Sequence, residues 1–210
     1  MSDALGRFMH VHVPPGPGSS ETRTLLLLHG TGGNERDLLT LGAAIAPGAR
    51  LLGVRGQVLE GSMPRFFRRL AEGVFDEADL IVRAAELGAF VAAAAEAYGF
   101  DRSTVVAVGY SNGANIAAAL LMLHPDVLSG AVLFRAMVPL VPETLPVLHG
   151  VPVLMVEGQT DAIVPRANAE QLASLLRESG AVVTLHWEPA AHGLTQADVV
   201  VARRWFGAQN

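Results

Sequence analysis

Residues 104–123 read TVVAVGYSNGANIAAALLML, and this stretch decides the fold. Its first part, 104–108, is a short run of β-branched and small apolar residues, which predicts a strand buried on both faces. Its last part, 114–123, is rich in alanine and leucine and predicts a helix. Between them, Gly-Tyr-Ser-Asn-Gly at 109–113 forms a tight turn from the strand into the helix. We therefore predict a strand–turn–helix unit with Ser111 at its apex.

The rest of the chain alternates in the same way. Short apolar runs predict strands at 8–13, 25–28, 50–54, 130–134, 151–156 and 182–187. Helical patterns occupy 34–46, 79–98, 166–178 and about 195–206. This alternation predicts an α/β fold, with a mostly parallel, twisted sheet of about seven strands and helices on both faces. No linker or internal repeat interrupts the chain, so we expect a single domain over residues 1–210.

Composition excludes several classes of function. The net charge is −5, and the fifteen positive residues are all arginines dispersed along the chain, which argues against nucleic acid as a partner. There is no cysteine, and therefore no disulfide, thiolate metal site or cysteine nucleophile. No His, Asp and Glu cluster has ligand spacing, so we expect neither a metal nor a cofactor. The first residues lack a signal-peptide pattern and no apolar run is long enough to span a membrane, so we expect a cytoplasmic protein.

A serine nucleophile at the turn needs a histidine base nearby. In a parallel sheet, ligands bind at the carboxyl ends of the strands, so the base should follow a strand there. Of the histidines after Ser111, His124 precedes a proline at a helix end, His149 lies at the amino end of a strand and His186 lies within a strand. His192 follows the last strand at the carboxyl edge and is the candidate base.

The base in turn needs an orienting acid, and two carboxylates compete for this role. Asp161 lies in the loop after the strand 151–156, while Glu157 continues that strand directly. A loop carboxylate can reach the neighbouring loop that carries His192, so Asp161 is favoured and Glu157 is the rival. Asp198 comes after His192 and is expected to cap the last helix.

The glycine-rich segment 29–33, His-Gly-Thr-Gly-Gly, follows the strand 25–28 and can turn a backbone N–H inward. We expect an oxyanion hole formed by the N–H of Thr31 and the N–H of Asn112. A phosphate cradle or a plain turn is the alternative for this segment, but Gly-Lys-Ser/Thr and Gly-x-Gly-x-x-Gly are both absent. His29 is expected to make structural hydrogen bonds.

With these motifs in place, the sequence resembles the phospholipase/carboxylesterase family of α/β-hydrolases, and within it the small bacterial carboxylesterases. The resemblance rests on LHGTGG at 28–33, GYSNGA at 109–114, MVP at 137–139, GQTD at 158–161, VP at 164–165, WE at 187–188 and HGLT at 192–195. The stretches 64–69 and 72–77 resemble the bacterial branch. The resemblance implies a catalytic triad of Ser111, Asp161 and His192. Two positions depart from the family: Ala191 replaces the usual glycine, and Asn112 stands where acyl-protein thioesterases commonly carry glutamine, which argues against protein deacylation.

The segment 135–150 is too short to form an independent helical cap, so we expect an open site without a large cap domain. The walls should then come from 55–79 and 137–142. The candidate lining residues for an acyl or aryl pocket are Met63, Phe66, Phe67, Phe75 and Met137. Arg135 is expected to pair with a structural acid rather than with substrate. The arginines Arg65, Arg68 and Arg69 are interpreted as a solvated face.

The leading hypothesis is a serine hydrolase that cleaves small carboxylic esters through an acyl-enzyme intermediate, that is, a carboxylesterase. A thioesterase or lysophospholipase with the same triad is the alternative, and a non-catalytic hydrolase-like binding module is a third possibility. Dienelactone hydrolases resemble this fold but use cysteine, which this chain lacks. The expected partner is a small-molecule ester, and a homodimer is left open.

Overall fold

The computed structural model describes residues 3–209, and over this range seven strands form one central sheet. The strands are β1 (His10–Val13), β2 (Thr24–Leu28), β3 (Arg50–Val54), β4 (Val105–Tyr110), β5 (Gly130–Phe134), β6 (Pro152–Gly158) and β7 (Val182–Glu188). Their order is β1-β3-β2-β4-β5-β6-β7. Only β1 is antiparallel to its neighbour, and the other pairs are parallel. The predicted α/β fold with a mostly parallel seven-stranded sheet is confirmed.

Helices cover both faces of this sheet. They are α1 (Asp3–Arg7), α2 (Leu39–Ile45), α3 (Glu77–Tyr98), α4 (Asn112–Leu123), α5 (Arg166–Glu178) and α6 (Gln196–Gly207). Apolar side chains of α3, α4 and α5 join one buried cluster, which includes Leu80, Leu120 and Leu172. Those of α2 and α6 join a second cluster with Ile45 and Phe206. The central strands are buried on both sides because each face packs against one cluster.

The helix predicted over 34–46 is shorter than expected. Asn34 and Asp37 tie the preceding residues into a turn: the Asn34 N–H donates to Asp37 Oδ2 at 3.1 Å and the Arg36 N–H donates to Asn34 Oδ1 at 2.9 Å. Short polar side chains that bind nearby backbone in this way compete with helix formation. Helix α2 therefore begins at Leu39.

The segment between β3 and α3 forms two small hairpins that the sequence patterns do not predict. The first pairs Val58–Glu60 with Met63–Arg65, and the second pairs Arg69–Ala71 with Val74–Phe75. The Gly32 N–H donates to the Pro64 carbonyl at 2.9 Å, which ties the first hairpin to the loop after β2. These hairpins therefore stand beside the carboxyl ends of the central strands.

The connection from β5 to β6 carries no helix or strand over the described residues 135–151. The expectation that no large cap domain covers this end of the sheet is therefore confirmed. No helix within residues 3–209 is both long and apolar enough to cross a bilayer.

The turn between β4 and α4 depends on a close approach of two backbones. A Cβ atom on Gly113 would lie 1.9 Å from the Leu28 carbonyl oxygen, and one on Gly109 would lie 2.5 Å from the Gly113 carbonyl oxygen. Side chains of any size are therefore excluded at both positions. The glycines allow Ser111 to stand directly beside the loop that follows β2.

We expect Gly113→Ala to lower the free energy of unfolding by about 2–3 kcal/mol, because the backbone of β2 must move to admit the methyl group. Chemical denaturation measures this loss. Gly88→Ala in α3 is the matched control, since its Cβ would meet Val127 at an ordinary 3.5 Å. That control should gain up to about 1 kcal/mol from helix propensity. Equal stabilities for the two variants would contradict this account of the turn.

Candidate active site

Ser111 lies at the apex of the turn between β4 and α4, with backbone angles of φ 52° and ψ −114°. A positive φ is strained for a residue with a side chain, and such strain is maintained only where the surroundings enforce it. Here the Ser111 N–H donates to the Phe134 carbonyl at 2.9 Å, and the Ser111 carbonyl accepts the Asn115 N–H at 2.9 Å. The result is a hydroxyl that projects from the end of the sheet.

Three predicted residues meet at this point. The Ser111 hydroxyl donates to His192 Nε2 at 3.0 Å, and His192 Nδ1 donates to Asp161 Oδ2 at 2.8 Å. The other oxygen of Asp161, Oδ1, accepts the N–H groups of Ile163 and Val164 at 2.8 and 3.1 Å. These two donors fix the carboxylate, which in turn fixes the tautomer of His192.

The rival acid, Glu157, makes a different contact. Its Oε1 accepts the Ala136 N–H at 3.0 Å, and its side chain is completely buried. Among the alternative histidines, His186 pairs with Glu188 at 2.8 Å on β7, away from Ser111. Of the carboxylates weighed from the sequence, Asp161 is therefore the one that reaches His192.

The loop that carries His192 is held by a buried ion pair. Arg135 binds Asp198 through two hydrogen bonds of 2.8 and 2.9 Å, and both side chains are fully buried. The same guanidinium donates to the carbonyls of Ala191 at 3.0 Å and Gly193 at 3.2 Å, one on each side of His192. Arg135 thus pairs with a structural acid, as expected, and it clamps the backbone around the histidine.

Asp198 also caps helix α6, as the sequence predicts. The Thr195 N–H donates to Asp198 Oδ2 at 2.6 Å, and the Asp198 N–H donates to Thr195 Oγ1 at 3.4 Å. Sequence reasoning missed that this capping acid is the partner of Arg135. The two residues are distant in the chain, and no local pattern links them.

The two predicted oxyanion donors, Thr31 and Asn112, line the same cleft as Ser111. Asn112 is the first residue of α4, where a backbone N–H has no partner within the helix. The Thr31 N–H likewise donates to no group in the part of the chain that the structure describes. Both N–H groups are therefore available beside the serine.

His29 fixes the loop that contains Thr31. Its Nε2 accepts the Gly56 N–H at 3.0 Å, so its Nδ1 carries the proton and donates to the Gly30 carbonyl at 2.6 Å. Burial lowers the pKa of His29, which keeps the ring neutral. This agrees with the expected structural role.

The cleft above Ser111 has a volume of about 320 Å³. Of the five residues predicted to line a pocket, Phe75 and Met137 do so. The prediction is wrong for Phe66 and Phe67, which are buried in the core because their rings pack against His29 and Phe75 at 4.8 and 5.1 Å.

The prediction is also wrong for Met63, which is outside the cleft lining and largely exposed. It lies in the first hairpin near Gly32. The packing of this hairpin against Gly32 places Met63 there, which composition alone does not predict.

Sequence reasoning also misplaced one arginine. Arg65 is only 3% exposed and lines the cleft, so its interpretation as part of a solvated face is wrong. Arg68, at 62% exposure, is solvated as expected, and Arg69 is intermediate at 30%.

The side chain of Asn112 joins the serine turn to the first hairpin. Its Oδ1 accepts the Phe66 N–H at 2.7 Å, and its buried Nδ2 has no hydrogen-bond partner among the described residues. The short amide at this position therefore helps to hold the chain next to Arg65.

The environment of Glu157 differs from that of Asp161. Burial raises the pKa of Glu157 to about 8, and the charges of Asp161 and Asp198 act in the same direction. The Ala136 N–H and the Arg135 charge offset part of this rise. Its Oε2 is buried with no hydrogen-bond partner among residues 3–209. A neutral carboxyl is the form that fits this position.

No group of three or more His, Asp or Glu side chains in the described part of the chain is arranged to hold a metal ion.

Comparison with known proteins defines the class. The sequence model of the dienelactone hydrolase family matches residues 65–204. The chain is 53% identical over 189 residues to the Bacillus subtilis (strain 168) protein named "Putative hydrolase MhqD", covering 90% of this chain and 94% of that protein. A Bacillus cereus carboxylesterase is 46% identical, with a TM-score of 0.94 over 100% of both chains. YahD, solved with malic acid, is 28% identical, with a TM-score of 0.90 over 97% of this chain and 100% of that one.

The chain therefore belongs to the dienelactone hydrolase family. It is a hydrolase of the dienelactone hydrolase and carboxylesterase type, and the resemblance to carboxylesterases of the α/β-hydrolase fold is confirmed. Sequence reasoning set dienelactone hydrolases aside because the chain has no cysteine. The family model matches this chain, which has a serine at the turn, so membership of the family does not depend on a cysteine nucleophile.

We expect Glu157→Gln to change how stability depends on pH. An acid whose pKa is raised by folding stabilises the native state fully below its unfolded value, and this contribution is lost as the pH rises through the folded value. For Glu157 the window runs from 4.5 to about 8. The free energy of unfolding of the parent protein should fall across this window relative to the variant, with a slope of at most about 1.4 kcal/mol per pH unit.

Urea denaturation at intervals across that window measures the difference. Glu143→Gln, at an exposed loop position, is the matched control and should show no such trend. Parallel stability curves for the parent protein and Glu157→Gln would mean that Glu157 is ionised in the folded protein.

Proposed function

We propose that this protein is a serine carboxylesterase that hydrolyses small carboxylic esters through an acyl-enzyme intermediate. The observation that carries the proposal is the continuous hydrogen-bonded chain from Ser111 through His192 to Asp161 at the floor of an open cleft. The relatives named carboxylesterase support it. The malic acid in the YahD structure is a carboxylic acid, which is the class of product that ester hydrolysis releases.

In the first half of the reaction, Ser111 Oγ attacks the acyl carbon while its proton passes to His192 Nε2, which lies 3.0 Å away. Asp161 holds the opposite ring nitrogen and stabilises the imidazolium that forms. The imidazolium then gives its proton to the departing alcohol, and the acyl group remains on Ser111. In the second half, His192 takes a proton from water, and the resulting attack releases the acid and restores the serine.

The negative oxygen of each tetrahedral intermediate binds the N–H groups of Thr31 and Asn112. The N-terminal end of α4 adds a partial positive charge at the same point. His29 supports this arrangement because it fixes the Gly30 carbonyl and with it the direction of the loop.

The small size and open shape of the cleft favour substrates with short acyl chains. Its walls combine apolar Phe75, Met137 and Ile163 with charged Arg65 and Arg69. A long lipid chain would have to lie across these charges or in solvent, so this lining disfavours a lysophospholipase. The cytoplasmic location stays a prediction.

We expect Ser111→Ala to lose at least about 10⁴-fold of esterase activity while the protein stays folded, because the variant has no atom to form the acyl-enzyme. The measurement is turnover of a graded 4-nitrophenyl ester series, on which the parent protein should prefer acyl chains of about two to six carbons, since the cleft is small. A fluorophosphonate should label the parent protein and leave Ser111→Ala unlabelled. If Ser111→Ala kept activity within tenfold of the parent protein, Ser111 would not be the nucleophile.

We expect Asp161→Asn to lower kcat by about 10²–10⁴ near neutral pH with little change in KM. The backbone N–H groups of Ile163 and Val164 require an oxygen at the Oδ1 position, so the amide nitrogen must face His192. That nitrogen donates to Nδ1 and forces the proton onto Nε2, which then cannot accept the serine proton.

Glu157→Gln is the matched control for this variant, and it should lose less than about tenfold in kcat because Glu157 does not contact the histidine. An inactive Glu157→Gln beside an active Asp161→Asn would show that the acid has been assigned to the wrong residue.

A further inference from the structure

Asn115 lines the cleft one helical turn after the serine. Its backbone N–H donates to the Ser111 carbonyl at 2.9 Å, which places the two residues one above the other at the start of α4. Side chains on a helix lean toward its N-terminal end, so that of Asn115 leans toward Ser111. The residue is only 4% exposed. A buried amide group thus lies next to the nucleophile and outside the triad.

One contact fixes the orientation of this amide. Asn115 Oδ1 accepts the Met137 N–H at 2.8 Å. Only the oxygen of an amide side chain can accept a backbone N–H, so the NH₂ group must lie on the other side of the side chain. Met137 belongs to the connection between β5 and β6, which this contact joins to α4. The direction of the NH₂ group is therefore set before any ligand binds.

The NH₂ group itself has no partner. Asn115 Nδ2 donates to no group among residues 3–209, although buried amides normally use their donors. Asn112 Nδ2, three residues earlier, is also unpaired, but it is sealed from solvent. Asn115 Nδ2 is not sealed in this way, so it is reached from the cleft that the residue lines. A substrate that displaces solvent from this donor must supply an acceptor or leave the donor unpaired.

The surroundings of Asn115 select the kind of acceptor. Residues 116–121 of α4 are all buried and apolar, and Phe75 and Met137 line the same cleft. In such surroundings a single neutral donor cannot offset the cost of desolvating an anion. The NH₂ group is therefore suited to a neutral oxygen, such as that of an ether, a carbonyl or a hydroxyl group.

We propose that Asn115 is a specificity residue whose NH₂ group donates to a neutral acceptor oxygen of the substrate. The preferred esters carry this oxygen about three or four bonds from the attacked carbon, which is the reach of a side chain one helical turn from the nucleophile. The neighbouring methylene groups contact Phe75 and Met137. This inference rests on the proposed esterase function and assigns its substrate class.

The test compares esters in which one oxygen replaces one methylene group. 4-Nitrophenyl 3-methoxypropanoate is measured against 4-nitrophenyl pentanoate, which places the oxygen on the acyl side. The pair of 2-methoxyethyl acetate and butyl acetate places it on the alcohol side. The readout is the ratio of kcat/KM for the oxygen-containing ester to that for its isostere. Because the two esters of a pair differ in intrinsic reactivity, the proposal is tested by the change in this ratio between the parent protein and a variant.

Two substitutions remove the donor in different ways. Asn115→Asp keeps the oxygen that accepts the Met137 N–H and replaces the NH₂ group with a second oxygen. Asn115→Leu removes both polar groups and keeps a side chain of similar shape. Each variant should lower the ratio by about three- to tenfold in at least one pair, which is the contribution of one neutral hydrogen bond. The pair that responds shows which side of the ester lies against Asn115.

Asn168 on α5 provides a matched control for both substitutions. Its Oδ1 accepts the N–H of Val138, the residue next to Met137, at 2.8 Å, but Asn168 lies outside the cleft lining. Asn168→Asp and Asn168→Leu therefore disturb the same connection and should leave both ratios unchanged. Thermal unfolding checks that each variant is folded, and if Asn115→Leu does not fold, Asn115→Asp decides by the same criterion.

The inference is overturned if the Asn115 variants keep the parent ratio in both pairs, even where kcat/KM falls equally for the two esters of a pair, as a purely structural role predicts. It is also overturned if the Asn168 variants lower the ratio as much as the Asn115 variants do. Failure of the esterase function itself looks different: no ester of either pair is hydrolysed, and a fluorophosphonate does not label Ser111.

Discussion

The buried ion pair between Arg135 and Asp198 is the interaction on which the geometry of the active site depends. Removing two charges from water costs several kcal/mol per ion, and a well-packed apolar pair is often equally stable. What the ion pair provides is a fixed backbone geometry. The carbonyls of Ala191 and Gly193 bind one planar guanidinium, so the backbone is fixed on both sides of His192. His192, the proposed base, can thus lie on a loop and still be held as precisely as a residue on a strand.

The same ion pair acts on the carboxyl group of Glu157, because the charge of Arg135 lowers its pKa and the charge of Asp198 raises it. Asp161 and Glu157 lie four residues apart around the end of β6, yet their surroundings differ. Two backbone N–H groups and the His192 ring bind the oxygens of Asp161. Glu157 has one N–H donor and an oxygen without a partner, so burial dominates. A second negative charge next to Asp161 is thereby avoided.

The mostly parallel sheet and the meeting of Ser111, Asp161 and His192 at one of its edges could be predicted from the sequence, because both follow from local rules. Apolar runs identify buried strands, and parallel strands bring their carboxyl ends to one edge, where the three loops must meet. This topology leaves Asp161 and Glu157 as candidate partners of His192, and the contacts of the two carboxylates distinguish them. The shortened helix α2 could not be predicted so easily, since Asn34 and Asp37 override a weak helical pattern.

The side chains that line the cleft could not be predicted from the sequence, for a different reason. The burial of Arg65, Phe66 and Phe67 depends on how two short hairpins pack against the loop that contains Thr31, and such hairpins have little periodicity. A run of arginines and phenylalanines is compatible with a solvated face, a core or a binding wall. Only the tertiary contacts decide, and they divide neighbouring residues among all three environments.

The bare connection between β5 and β6 has a kinetic consequence. With no cap over the described segment 135–151, substrate binding requires no lid to close and product release requires none to open. The groups around Ser111 are instead held in place before the substrate arrives, so binding does not have to order a loop. In the proposed mechanism, solvent reaches Ser111 throughout the cycle, so water is the most abundant acceptor for the acyl group on the serine. An uncovered site of this kind favours hydrolysis over transfer of the acyl group to another alcohol.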